Sequence, residues 1–132
     1  MYDCNQITDI SHLQYLTKLE ILEISMCNQI TDLDPLQYMG ELRVLSMYGC
    51  DELNDIFPLH KLHKLQILNI NGCYKIDNLD SLIDLNELHT LYKERCFHLY
   101  YSLSELRKHK YNRIPFQYSD IHICDISPFK RI

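Results

Sequence analysis

Apolar positions along the chain return every 23 residues. Leu19, Leu42, Leu65 and Leu88 form one row, and Leu22, Leu45, Leu68 and Leu91 a second. A third row runs Ile24, Met47 and Ile70 and then meets Lys93; a fourth runs Ile7, Ile30, Leu53, Ile76 and Leu99. Within one unit the order is Leu42-x-x-Leu45-x-Met47-x-x-Cys50-x-x-Leu53-x-x-Ile56-x-x-Leu59-x-x-Leu62. Leu45-x-Met47 alternates, which is the period of a half-buried strand. Beyond Cys50 the apolar residues recur at every third position, a spacing that suits 3₁₀-like or extended turns rather than a long α-helix. Each unit therefore reads as a short strand, a turn and an irregular return path. No single unit can bury its own apolar side. Stacking the units joins the rows into one core and sets the strands about 4.8 Å apart in a parallel sheet.

Two polar or semi-polar rows share the register. Cys4, Cys27, Cys50, Cys73 and Cys96 are each 23 residues apart, and only Cys124 lies outside the series. A fixed period of this size marks structural repeats rather than a disulfide framework. Thiols repeated in this way point in one direction, which is poor disulfide geometry. No C-x-x-C or H-x₃-H spacing suggests a metal. The ladder cysteines are expected to be buried small hydrophobes whose S–H groups help satisfy turn carbonyls. Asp9, Asp32, Asp55 and Asn78 form the second row, and their side chains are expected to accept backbone N–H bonds at the turn.

The unit resembles the leucine-rich repeat, L-x-x-L-x-L-x-x-(N/C)-x-(x)-L. Asn5-Gln6-Ile7-Thr8-Asp9-Ile10 and Asn28-Gln29-Ile30-Thr31-Asp32-Leu33 are similar to the short repeats of phosphatase regulators and bacterial internalins. Asp34-Pro35-Leu36 and Phe57-Pro58-Leu59 add to that likeness, while the Cys followed by two residues before the next apolar one is closer to the cysteine-containing class. The resemblance spans Cys4 to Leu99. It implies an α/β repeat solenoid: a leucine-rich-repeat horseshoe or arc with a short parallel β-sheet on its concave face and irregular 3₁₀-like convex segments. It also implies partner binding on the concave face.

Both ends depart from the pattern. Counting back from Cys4 leaves the first unit without its first two Leu rows, so residues 1–99 hold about four units with the first incomplete. An unprotected sheet edge there is expected to fray or to pair with another chain. Residues 100–132 are expected to form a C-terminal cap. Ser102-Leu103-Ser104-Glu105 fits a capping box, which predicts a short helix over 103–110. The alternation in 118–124 predicts a short strand.

Composition narrows the function. The 132 residues carry 13 bases and 18 acids, a net charge of −5, which argues against a dedicated nucleic-acid binder. Arg107, Lys108, Lys110 and Arg113, with Tyr111 among them, read as the solvated face of a short helix. No apolar run reaches the roughly 18 residues of a membrane span. The start, Met1-Tyr2-Asp3-Cys4, lacks a basic and an apolar region, so a cytoplasmic, reducing location is expected. Gly40, Gly49 and Gly72 make no phosphate loop, and there is no G-x-S-x-G elbow. His60 and His63 sit on the return path, where they should face solvent. Buried ladder thiols would be inert. The chain is thus read as non-catalytic, with no cofactor and no metal.

The expected binding residues are those alternating outward from the strand core. They are Ile21 and Glu23; Val44, Ser46 and Tyr48; Ile67, Asn69 and Asn71; and Tyr92 and Glu94. Ser25 and Thr90 fall in the same alternation, and Ile21, Val44, Ile67 and Thr90 would form a β-branched stripe. The partner is expected to be another protein, with self-association through the N-terminal edge as the alternative.

Overall fold

The computed structural model describes residues 6–96. The first strand of the incomplete unit, Cys4, the cap over 100–132, its helix and strand, the basic run at 107–113 and Cys124 all lie outside the described residues. Within them, four strands alternate with four 3₁₀ helices. The order is η1 (Ser11–Tyr15), β1 (Ile21–Glu23), η2 (Asp34–Tyr38), β2 (Val44–Ser46), η3 (Phe57–Lys61), β3 (Ile67–Asn69), η4 (Asp80–Leu82) and β4 (Thr90–Tyr92). The strands form one parallel sheet in sequence order. Its register is the 23-residue period itself: Leu22 pairs with Leu45, Leu45 with Leu68 and Leu68 with Leu91.

Each return path starts where an Asx side chain bends it. Ser11, Asp34, Phe57 and Asp80 donate their backbone N–H groups to Oδ1 of Asp9, Asp32, Asp55 and Asn78 at 2.7–2.9 Å. These bonds satisfy donors that open a 3₁₀ turn and explain why that row is Asp or Asn. Pro35 and Pro58 stand in the first turn of η2 and η3, where a fixed φ helps and a missing N–H costs nothing. The helices stay short because apolar residues every three positions eclipse into one buried column.

The core runs through the whole stack. Leu36, Leu59 and Leu82, then Met39, Leu62 and Leu85, then Leu42, Leu65 and Leu88, are all buried in successive units. The first described unit is less covered: Leu16, which shares a row with Met39 and Leu62, is 47% exposed. Lys93 stands where the other units place Ile24, Met47 and Ile70. The strand nevertheless pairs in full register, with Ile70 donating to the Tyr92 carbonyl at 2.8 Å, and Lys93 is 1% exposed. Backbone pairing does not depend on the side chain's polarity, so the irregularity is confined to the core position.

Candidate binding face

The sheet face is built by alternation. Leu22, Leu45, Leu68 and Leu91 turn into the core, so their neighbours on either side turn out. Ile21 is 65% exposed, and Val44 and Ile67 are half-buried beside it. Thr90 does not extend this stripe, because it is completely buried. The apolar stripe is therefore three residues wide. Ser25, also expected on the open face, is buried as well; its Oγ donates to Glu23 Oε1 at 2.7 Å and lies 3.0 Å from Ser46 Oγ.

Beyond the strands the ladder continues for one more rung. Met26, Gly49 and Gly72 donate their N–H groups to the carbonyls of Tyr48, Asn71 and Glu94 at 2.6–2.8 Å. That rung keeps Tyr48, Asn71 and Glu94 in line across the face. Tyr48 is 42% exposed, while Ser46, Asn69, Asn71, Tyr92, Glu23 and Glu94 are half-buried. Asn69 Oδ1 accepts the Asn71 N–H at 2.9 Å, and Asn71 Oδ1 accepts the Glu94 N–H at 2.6 Å. The two asparagines thus have a structural duty besides facing outward.

The same residues at which the ladder ends adopt left-handed backbone: Met26, Gly49, Gly72 and Arg95 have φ of 61°, 70°, 74° and 63°. This row turns the chain from sheet to return path. Gly49 and Gly72, 23 residues apart, were its only legible signal. The cysteine row follows immediately. Cys50, Cys73 and Cys96 donate their thiols to the carbonyls of Ile24, Met47 and Ile70 in the preceding unit, at 3.3, 3.0 and 3.0 Å, and Cys27 donates to Ser25 at 3.6 Å. Burial pushes the Cys50 and Cys96 thiols up to about 11 and raises Cys73 as well. Among the described residues no two of these cysteines are joined in a disulfide.

Sequence reading missed the ion pairs between units. Arg43 pairs with Glu20 at 3.4 Å, Lys64 with Glu41 at 2.8 Å and Lys75 with Glu52 at 2.8 Å. Opposite charges 23 residues apart were the available signal. Lys64 holds the Glu41 carboxyl below its ordinary value through their hydrogen bond. On the return side His60 stacks on Phe57, with ring centroids 4.3 Å apart, and its Nδ1 lies 2.6 Å from the Phe57 carbonyl. An open concavity next to it is lined by Asn54, Asp55, Phe57, Lys75, Asp77 and Asp80. Among the described residues no group of three or more His, Cys, Asp or Glu is placed to hold a metal ion. No helix among them is long and apolar enough to cross a membrane.

Residues 2–38 and 41–84, more than half of the chain, match the family described as leucine-rich repeats in two copies. The chain belongs to the leucine-rich-repeat family. Among solved structures, an internalin (inlF) of Listeria monocytogenes aligns with a TM-score of 0.63 at 30% identity, covering 67% of this chain and 26% of that one. Internalin C2 (inlC2) of the same species aligns with a TM-score of 0.42 at 24% identity, covering 67% of this chain and 48% of that one. The chain thus spans about a quarter of the length of inlF. No curated protein matches it. Leucine-rich repeats generally mediate protein–protein interaction and are typically non-catalytic.

Proposed function

We propose that this leucine-rich-repeat protein is a non-catalytic interaction module that binds another protein on its sheet face. The observation that carries this reading is Tyr48. It is a large amphipathic side chain, exposed one rung past the end of β2 in line with Asn71, with the Ser46–Asn69–Tyr92 row and then the Ile21–Val44–Ile67 stripe on the strand side of it. Aromatic anchors set among polar neighbours are the usual centres of binding energy at interfaces. Glu23, Ser46 and Glu94 complete the proposed contact set. Thiols buried against carbonyl acceptors suit a reducing, cytoplasmic setting.

A second reading, self-association through the N-terminal edge, draws on the exposure of Leu16 and Tyr15 in the first described unit. One experiment separates the two. The protein is used to capture partners from native cytosol, beside a Tyr48→Glu/Tyr92→Glu variant whose folding is checked by circular dichroism. A partner held by the wild type and lost by the folded variant is the expected result. Retention by both versions would overturn the face assignment, and recovery of only the protein itself would favour self-association.

A further inference from the structure

The two asparagines on the face have fixed amide orientations. A backbone N–H can only donate, so the Asn71 and Glu94 N–H groups require Oδ1 of Asn69 and Asn71 to face them, at 2.9 and 2.6 Å. The Nδ2 groups must then point the other way, and among the described residues neither has a hydrogen-bond partner. Asn69 ends β3 and Asn71 stands in the turn that follows it, so both amides lie at the C-terminal end of the strand. Tyr48 stands beside Asn71 one unit earlier, and Tyr92 pairs with Asn69 one unit later. Tyr48 is 42% exposed and Tyr92 half-buried, and among the described residues neither ring stacks on another aromatic.

Charge selects the kind of segment. Residues 6–96 contain 14 acids and 7 bases. Arg43, Lys64 and Lys75 are each tied to an acid of the preceding unit, and Lys93 is buried. The field around the arc is therefore negative, which draws in basic chains and repels acidic ones, a second copy of net charge −5 included. We propose that the quartet Tyr48, Asn71, Asn69 and Tyr92 holds a basic segment of a partner protein. Its carbonyls accept from the two amides, and its Lys or Arg side chains lie over the tyrosine rings. This inference rests on the sheet-face reading and names the partner's chemistry.

The test is selection of a phage-displayed random dodecapeptide library on the immobilised protein, followed by affinity measurement of the enriched peptides. Enrichment of Lys- and Arg-bearing sequences is expected. Tyr48→Leu/Tyr92→Leu should weaken them about tenfold, the loss of roughly one cation–π contact. Asn69→Asp/Asn71→Asp keeps the oxygen that each backbone N–H needs and deletes only the outward donors. Binding should fall with this variant although it adds negative charge; a rise would show that charge alone is read and would overturn the proposal. Acidic or neutral consensus peptides, no enrichment, or basic peptides held equally by Tyr48→Leu/Tyr92→Leu would overturn it too. If a whole partner is captured through Tyr48 and Tyr92 while no basic peptide is enriched, the sheet-face reading stands and this inference fails.

Discussion

At the residue scale, the left-handed corner shows how one backbone angle is met by different side chains. Glycine takes a φ near +70° without cost, whereas Met26 and Arg95 carry a Cβ there at roughly 1 kcal/mol each. A Cβ on Gly72 would find only ordinary contact with the Gly49 backbone, at 3.5 Å, so its conformation decides the outcome. Gly72→Ala should destabilise by about 1 kcal/mol, and Arg95→Gly, at an exposed corner, should stabilise by a similar amount. Urea denaturation of the two variants checks both signs; equal shifts in one direction would refute the strain argument. Gly49 is a different case, because a Cβ there would run into the Met26 thioether.

At the scale of the element, three-residue strands carry too few backbone bonds to hold a sheet alone. The thiol row extends the link between units, because each Sγ of Cys50, Cys73 and Cys96 satisfies a carbonyl one unit back. Desolvation raises the thiol values in the folded state, so unfolding releases groups that ionise more readily. The raised value means that full stability holds below the ordinary thiol value of 9.0 and is lost as pH climbs toward about 11. The urea midpoint should therefore drop between pH 9 and 11, and a Cys50→Ala/Cys96→Ala variant should show a shallower drop. An identical pH profile for that variant would exclude the thiols as the cause. The Glu–Lys pairs between units contribute less, since both partners of each are about half exposed.

At the scale of the whole molecule, stability is a sum over neighbouring units, and each row is worth what the units on either side bury. Leu68 has paired strands on both sides, whereas β1 is the edge of the described sheet and Leu22 is slightly exposed. Leu68→Ala should cost roughly 3–4 kcal/mol and Leu22→Ala about 2. Equal losses in urea unfolding would contradict a stack whose inner units carry the cohesion.

The 23-residue period, the alternation of Leu22-x-Ile24 and the Asx row were enough to place the strands, their register and the turns. Those features depend on local periodicity, and stacking identical units leaves only one register in which the rows coincide. Exposure on the face was not legible in the same way. Ile21, Val44, Ile67 and Thr90 look alike along the chain, yet Ile21 lies open and Thr90 is wholly buried, because burial depends on what packs around each unit. Nor could the sequence show that Asn69 spends its amide oxygen on the backbone two residues on, and Asn71 on the backbone of the next unit. That choice follows from where neighbouring N–H groups end up in space, and it decides which end of each amide a partner meets.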